Sequence, residues 1–251
     1  MLEIITSEKF SKISEIRLAV STKDFGNQSL QHPIVSKNET FLNRKRFFDS
    51  LNINSKNVVN AGLVHGREIL WTTNANKNID NTESNSLIQN FDGLATVERG
   101  LFLMVTIADC FPVFIFDPTS KCIALLHAGW RGVINNIVTN AIDTMKNKAQ
   151  SETEKMVVYI GPGIHQCHFN VSKDLADQFL NSLGPDVLQS KNGNNAVNLP
   201  LTIKKQLIQA GINENNIEIS PYCTYCDDRF FSSYRRDKEK YIAQAAIIGM
   251  I

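Results

Sequence analysis

The chain lacks a charge excess, a long apolar segment and a regular cysteine pattern. Its 26 lysines and arginines nearly balance 25 aspartates and glutamates, whereas a dedicated nucleic-acid-binding protein carries a basic excess. The longest apolar tract, residues 100–116, contains Asp109 and Pro112, which excludes a membrane span. No basic segment precedes the apolar residues at the N-terminus, so we expect no signal peptide. Five widely spaced cysteines do not form a disulfide framework. These absences predict a soluble cytoplasmic protein with free thiols and with no nucleic-acid or membrane partner.

Two nucleotide-binding motifs are also missing. Gly161-Pro162-Gly163 lacks the later glycine of a dinucleotide fingerprint, and the sequence contains no Gly-Lys-Ser/Thr phosphate loop. ATP and nicotinamide chemistry are therefore disfavoured.

Hydrophobic residues make up 43% of the 251 residues, enough for a substantial core. Apolar periodicity predicts helices at residues 38–51, 172–183 and 200–210, with another beginning at residue 132. It predicts strands at residues 13–21, 58–64, 101–107, 112–116, 122–126 and 156–160. The turn-forming residues 117–120 predict a hairpin, and the polar residues 74–90 predict a surface loop. We expect one α+β domain.

Three residues that bind metals well stand where predicted strands end: His65, Cys110 and His127. Two neutral imidazoles and one thiolate suit zinc, and three protein ligands leave a fourth position open for catalysis. A second interpretation makes Cys110 a nucleophile with His127 as its base. In a third, the cysteine is a small core residue and the histidines are ordinary hydrogen-bonded side chains. Sequence spacing does not choose among them.

Two basic segments are candidates for anion binding. His127 is followed by Ala128-Gly129-Trp130-Arg131-Gly132, a sharp turn into a helix, where Arg131 and the backbone N–H groups near Gly132 suit phosphate. The alternative is a tight turn with Trp130 packed in the core. Arg235 and Arg236 form a second cationic pair, which also suits surface salt bridges.

Cys223 and Cys226 form a CxxC motif, which indicates redox or zinc chemistry. The second CxxC of a zinc ribbon is missing. The stretch His165-Gln166-Cys167-His168 is a candidate source of partner ligands, but the pattern does not favour a second metal site, and the role of the CxxC stays open.

The sequence resembles the YfiH-like family, whose members are variously described as polyphenol oxidase (laccase), purine nucleoside phosphorylase or peptidoglycan editing factor. The resemblance runs from about residue 13 to the C-terminus and rests on six motifs in family order: Val64-His65-Gly66, Thr106-Ile107-Ala108-Asp109-Cys110-Phe111-Pro112, His127-Ala128-Gly129-Trp130-Arg131-Gly132, Ile160-Gly161-Pro162-Gly163-Ile164, Cys223-Thr224 and Phe230-Phe231-Ser232-Ser233-Tyr234-Arg235-Arg236-Asp237.

This resemblance implies zinc, or copper in the same place, bound by His65, Cys110 and His127. It implies that Arg44, in the pair Asn43-Arg44, contacts substrate. Residues 1–251 are expected to form one catalytic domain of packed mixed β-sheets flanked by helices, similar to the catalytic domain of cytotoxic necrotizing toxins. Because some members of the family self-associate, a homodimer is an option.

The sequence departs from the family pattern at two single residues and in two short stretches. Leu63 replaces a glutamine, residues 22–26 replace a threonine–arginine–glycine–glycine stretch, residues 240–242 replace Thr-Gly-Arg, and His168 stands where a second cysteine is common. The metal ligands are intact, so these departures concern the substrate pocket.

Counting residues disfavours a laccase. A multicopper oxidase uses paired His-x-His motifs, and this chain has no such pair and only five histidines. A blue-copper centre normally takes a cysteine, a histidine and a methionine from one short loop, yet the nearest methionine after Cys110 is Met145.

Phosphorolysis of purine nucleosides fits the residues better, and the resemblance also implies adenosine deamination. In this hypothesis Cys110 and His127 hold zinc beside the reaction, Arg131 and the turn at Gly132 bind phosphate, and Arg44 or Arg236 closes over the substrate. Three alternatives remain: a cysteine amidase that edits peptidoglycan precursors, a copper-dependent polyphenol oxidase, and a noncatalytic metal-binding protein.

Overall fold

The computed structural model describes residues 2–74, 87–191 and 194–251. Two six-stranded mixed sheets dominate it, with strands numbered along the chain. The first sheet has, in spatial order, β1 (Ile4–Ile5), β2 (Ile16–Ser21), β15 (Gln244–Met250), β7 (Phe102–Ile107), β3 (Val58–Gly62) and β5 (Leu87–Gln89). The second has β14 (Ile217–Ile219), β10 (Val157–Ile160), β8 (Phe111–Asp117), β9 (Cys122–Ala128), β6 (Gly93–Thr96) and β4 (Ile69–Trp71).

Smaller elements flank these sheets. A three-stranded sheet contains β11 (Asn170–Val171), β13 (Asn194–Val197) and β12 (Leu188–Lys191). The α-helices among the described residues are α1 (Lys37–Ser50), α2 (Trp130–Ile134), α3 (Ile137–Ala149), α4 (Lys173–Leu183), α5 (Leu199–Gln209) and α6 (Tyr234–Asp237). Four of them begin where a polar side chain accepts a hydrogen bond from the first turn, namely Ser36 for α1, Ser172 for α4, Asn198 for α5 and Ser233 for α6.

The layers stack in the order helix, sheet, sheet, helices. Apolar residues of α1 pack on the outer face of the first sheet, and α3 and α5 cover the outer face of the second. A third cluster fills the space between the sheets. Because both faces of the second sheet are buried, its central strands are apolar throughout. Val113 and Ile115 of β8 face the helices, whereas Phe114 and Phe116 face the other sheet.

Most predicted elements are confirmed, with small shifts in their bounds. The predicted hairpin is present, because β8 and β9 pair antiparallel from Phe111 opposite Ala128 to Asp117 opposite Cys122. The side chain of Asp117 accepts hydrogen bonds from Thr119 and Ser120 and so holds the turn. The mixed α+β class is confirmed, and the likeness to the toxin domain stays a prediction.

Two predictions need correction. The proposed loop at residues 74–90 ends in a strand, because Leu87–Gln89 pairs in parallel with β3; residues 75–86 of that loop lie outside the described part of the chain. The helix predicted from residue 132 is two helices, α2 and α3, separated at Asn136. That residue has φ 59°, a left-handed conformation that asparagine tolerates and that stops α2 from continuing.

The sheet topology brings several strand ends to one edge of the sandwich. Strands β3 and β7 are parallel neighbours, so the segments that follow them leave on the same side. The chain then crosses from β7 in the first sheet to β8 in the second within residues 108–110. Within the described residues, no helix has the length and apolar character needed to span a bilayer.

Candidate metal centre and pocket

His65, Cys110 and His127 meet at this edge of the sandwich. His65 follows β3, Cys110 lies between β7 and β8, and His127 belongs to β9. The hairpin register places Pro112 opposite His127, which brings Cys110 beside the end of β9. The potential ligand atoms of the three residues all lie within 4.8 Å of one another. The fold therefore assembles the set that residue type alone had suggested, and a Cys/His/His donor set fits zinc or copper.

Asp92, which the sequence did not indicate as a site residue, accepts hydrogen bonds from both histidines. Its carboxylate accepts from Nδ1 of His127 at 2.9 Å and from the backbone N–H groups of His65 and Gly66 at 2.9 and 2.7 Å. The side chain is fully buried. Burial raises the pKa of Asp92, but His127 and the backbone N–H groups of Gly66 and Val64 outweigh it and hold the pKa below its usual value. An ionised carboxylate only accepts hydrogen bonds, so Nδ1 of His127 carries the proton and Nε2 is left to bind a metal.

Cys110 and His127 shift each other's protonation. Burial alone raises the pKa of the Cys110 thiol, but the neighbouring His127 and His65 lower it to about 6. Burial lowers the pKa of His127, and the Cys110 thiolate together with Asp92 raises it overall. The pair thus favours the thiolate, which is both the metal-binding and the nucleophilic form of cysteine.

Two residues of this edge have left-handed backbone conformations: His65 has φ 58° and Asp109 has φ 85°. Such conformations are held by surrounding contacts and concentrate at functional sites. The Asp109 carboxylate accepts from Thr224 Oγ1 and from the Arg235 N–H, both at 2.7 Å. These bonds fix the residue that immediately precedes Cys110.

The glycines of the turn after His127 make close contacts. A Cβ atom on Gly129 would lie 2.9 Å from Cys110 Sγ and 3.4 Å from Cδ2 of His65. A Cβ on Gly132 would lie 2.8 Å from the backbone oxygen of Gly66. Both positions therefore require a residue without a side chain for the turn to pack against the two ligand segments.

A cavity of about 780 Å³ opens over the three ligands, a volume that suits a small organic substrate. Its wall includes the aromatic side chains of Trp130, Phe169, Tyr234 and Tyr241. Two arginines also line it, Arg131 and Arg235. The cavity therefore combines apolar ring faces with two cations.

The two lining arginines differ in their contacts. The Arg131 guanidinium lies 4.2 Å from the centre of the Trp130 ring, and among the described residues no ion pair or hydrogen bond occupies it. Arg235 donates from Nη1 to the carbonyl oxygens of His168 and Asn170. Arg131 is thus the cation that is freer to bind an anion.

The other residues proposed to bind substrate or phosphate lie outside the lining. Arg236 donates to the carbonyl oxygens of Thr224, Tyr225 and Phe231 and pairs with Asp237, so its guanidinium is already occupied. Gly132 is buried against Gly66. For both residues, a role in binding stays a prediction.

Arg44 is buried in α1, lines a separate cavity of about 950 Å³, and donates from Nε to the carbonyl oxygen of Gln28. Its two terminal nitrogens have no hydrogen-bond partner in the described part of the chain, and burial lowers its pKa to about 9. Direct contact of Arg44 with substrate therefore also stays a prediction.

A family model described as "Multi-copper polyphenol oxidoreductase laccase" matches residues 19–251. The chain belongs to this family. The chain is also similar to the hypothetical protein YfiH of Bacillus licheniformis, whose crystal structure superposes with a TM-score of 0.90 at 25% identity, covering 100% of this chain and 97% of that one. The YfiH-like resemblance seen in the sequence is thereby confirmed.

Curated relatives carry two activity names. The purine nucleoside phosphorylase YlmD of Geobacillus stearothermophilus is 28% identical over 211 residues, which cover 82% of this chain and 77% of that protein. The adenosine deaminase RL5 of an unknown prokaryotic organism is 27% identical over 162 residues, covering 63% of this chain and 62% of RL5. Both names describe enzymes that act on purine nucleosides.

Proposed function

We propose that this member of the YfiH-like family is a metal-dependent purine nucleoside phosphorylase that splits adenosine or a related nucleoside with phosphate into free base and ribose 1-phosphate. The observation that carries the proposal is the Cys/His/His set at the base of a cavity that has aromatic walls and is lined by Arg131. The names of the relatives support the same substrate class.

His65, Cys110 and His127 would hold the metal. Zinc bound by one thiolate and two neutral imidazoles retains roughly one positive charge and one open position, which suits holding and orienting phosphate or water. Asp92 keeps the His127 ring in the metal-binding tautomer. Copper fits the same donors, but the chain has no His-x-His pair for a four-copper laccase centre.

The cavity wall supplies the remaining groups. Arg131 lines the cavity, and its guanidinium fork, which has no polar partner in the described part of the chain, suits binding phosphate oxygens in pairs. Tyr234 and Tyr241 lie edge to face with their centres 5.3 Å apart and offer ring faces on which a purine base stacks. Phosphate held by Arg131 beside the ribose would stabilise the positive charge that develops on the sugar as the glycosidic bond breaks.

Adenosine deamination is a variant of this proposal, because it uses the same cavity and metal ligands with water in place of phosphate. The relative named adenosine deaminase RL5 supports it. The product distinguishes the two reactions, since deamination yields inosine and phosphorolysis yields adenine.

A cysteine amidase is the second candidate, and one contact favours it. Asp92, His127 and Cys110 stand in the order of an orienting acid, a base and a nucleophile, with the Asp92–His127 hydrogen bond at 2.9 Å. In that reaction Cys110 attacks an amide carbonyl carbon, and the C–N bond breaks as His127 gives the thiol proton to the leaving nitrogen. Water then hydrolyses the Cys110 thioester and releases the acid; no metal takes part.

Product analysis separates these candidates. Zinc-loaded protein is incubated with adenosine with and without phosphate, beside Cys110→Ala and a control, Cys122→Ala, which removes a core thiol remote from the cavity lining. We expect adenine only when phosphate, zinc and Cys110 are all present, and full activity in Cys122→Ala. Unchanged adenosine under every condition contradicts the proposal. Activity on an amide substrate that survives chelation but not thiol alkylation would support the amidase.

A further inference from the structure

A second cluster of metal-binding side chains lies outside the pocket described above. Cys167 and His168 belong to the loop after β10, and Cys223 and Cys226 to the loop after β14. These two strands are parallel neighbours, so both loops leave the same edge of the second sheet. An isolated parallel bridge between Gly163 and Cys223 continues the pairing beyond the strands. The sheet therefore brings two pairs of ligands, 56 residues apart in sequence, into one place.

The distances fit a tetrahedral zinc site. Cys167 Sγ lies 3.7 Å from Cys223 Sγ and 3.6 Å from Cys226 Sγ. A zinc ion with Zn–S bonds of about 2.3 Å holds its sulfurs about 3.8 Å apart when the angles are tetrahedral. Nδ1 of His168 lies 3.2 Å from Cys226 Sγ, against about 3.5 Å expected from a Zn–N bond of about 2.0 Å. All four ligand atoms lie within 4.8 Å of one another.

The surrounding backbone holds these ligands in place. The N–H of His165 donates to Cys223 Sγ at 3.4 Å, the kind of bond that stabilises a thiolate. The Cys223 N–H donates to the Asp227 carboxylate at 2.7 Å, and the Cys223 carbonyl accepts from the Cys226 and Asp227 N–H groups. This closes a tight turn in which both cysteines of the CxxC point to one side.

The His168 ring is oriented by stacking. It lies nearly parallel to the Tyr225 ring, with 3.9 Å between their centres and 14° between their planes. Tyr225 stands between the two cysteines of the CxxC in sequence. The turn that positions the thiols therefore also fixes the imidazole, and the four ligands form one preassembled set.

A disulfide explains the cluster less well. It would join two of the three thiols, whereas Cys167 lies at nearly equal distances from both others. Both distances are also well beyond an S–S bond of about 2.05 Å. It would moreover leave His168 without a role.

We propose that Cys167, His168, Cys223 and Cys226 bind a structural zinc ion. Four protein ligands fill the tetrahedron and leave no open position, unlike the three-ligand set of His65, Cys110 and His127. The inference does not depend on the proposed phosphorylase activity.

The site would brace one wall of the pocket. Thr224, inside the CxxC, donates to the Asp109 carboxylate beside Cys110. Arg235, which lines the pocket, donates to the carbonyl oxygen of His168. A zinc ion holding the two loops together would thus fix residues that contact the neighbours of the first metal centre.

Metal analysis tests the proposal, using full-length protein purified with zinc and freed of loosely bound ions. We expect two zinc ions per chain, falling to one in Cys110→Ala and to one in Cys226→Ser. The control Cys122→Ala removes a thiol that belongs to neither cluster and should keep two. A single zinc ion in the wild type that is lost with Cys110→Ala would overturn the proposal.

Cobalt spectroscopy keeps the test decisive if Cys226→Ser fails to fold. Cobalt added to metal-free Cys110→Ala protein should give intense thiolate-to-cobalt absorption that saturates at one equivalent, since three thiolates remain at the second cluster. Absence of that absorption contradicts the proposal. So does a thiol titration of the denatured, unreduced wild type that finds three thiols instead of the five in the sequence, because that result shows a disulfide.

Discussion

Nδ1 of His127 lies 2.9 Å from the buried carboxylate of Asp92, and the same carboxylate accepts the backbone N–H of His65. One acidic side chain thus positions both histidines of the metal centre, one through its ring and the other through its backbone. A residue outside the three-ligand set can therefore control the proposed metal binding.

Asp92→Asn should weaken zinc binding about 10- to 100-fold, because the amide loses the negative charge that supports the ligand histidine and replaces one of the two acceptor oxygens with an NH2 group facing N–H donors. Competition against a chromogenic chelator measures the affinity. Asp49→Asn, at an exposed carboxylate paired with Lys45, is the control and should bind zinc normally. Equal affinity in Asp92→Asn and wild type would show that His127 is held by other contacts.

Gly129→Ala should impair metal binding more than folding. Its backbone conformation, φ −77° and ψ 166°, is open to alanine, but the added Cβ would lie 2.9 Å from Cys110 Sγ and force the thiol to move. We expect a fall in zinc affinity with a nearly unchanged urea midpoint in the presence of chelator. A large loss of stability with intact zinc affinity would mean that the turn, and not the thiol, absorbs the clash.

Substitution of Arg131 should impair phosphate binding, whereas substitution of Arg236 should lower stability. Arg131→Ala removes a cation with no other polar partner among the described residues, so the KM for phosphate should rise about tenfold or more without a change in stability. Arg236→Ala removes the donor to three backbone carbonyls and should lower the urea midpoint.

Steady-state kinetics and urea unfolding on both variants test this pair. Arg229→Ala, at an exposed arginine paired with Glu3, is the control and should change neither measurement. A normal phosphate KM in Arg131→Ala would remove that residue from the proposed site.

Asp117 should make the fold sensitive to acid. Burial raises the pKa of Asp117, but hydrogen bonds from Ser120, Thr119 and Glu152 outweigh it and lower the pKa. A lowered folded pKa contributes stability that is complete above the unfolded value of about 3.9 and is lost as the pH falls through the folded value.

Asp117→Asn should therefore cost about 1–3 kcal/mol at pH 7, and this difference should shrink at pH 3. Urea unfolding at pH 7, 5 and 3 measures it. Asp186→Asn, at an exposed carboxylate paired with Lys205, is the control and should change little at any pH. A constant difference across the pH range would mean that Asp117 acts through packing alone.

Local pattern predicted the hairpin and six of the strands, β2, β3, β7, β8, β9 and β10, and residue type offered the three-residue metal set as one of three interpretations. They did not predict Asp92, because a buried acid that precedes a short strand has no distinguishing local signal, and its partners lie 26–35 residues away. The choice between Arg235 and Arg236 also escaped prediction, since adjacent residues differ only in the direction their side chains take from α6. The pairing of Cys167 and His168 with the CxxC depends on the parallel contact of β10 with β14, which only the folded topology supplies.

His65 follows a strand of the first sheet, His127 belongs to the second, and Cys110 lies on the connection between them. The three residues therefore bridge the two sheets at one end of the sandwich, and the distance between the sheets sets the distance between the two histidines. No fragment confined to one sheet keeps both histidines, so the chain cannot be divided into a reactive piece and a supporting scaffold. Substitutions in the apolar layer between the sheets, such as at Leu103 or Leu125, would alter the spacing of the sheets. They would thereby change the distances between the ligand atoms without touching any ligand.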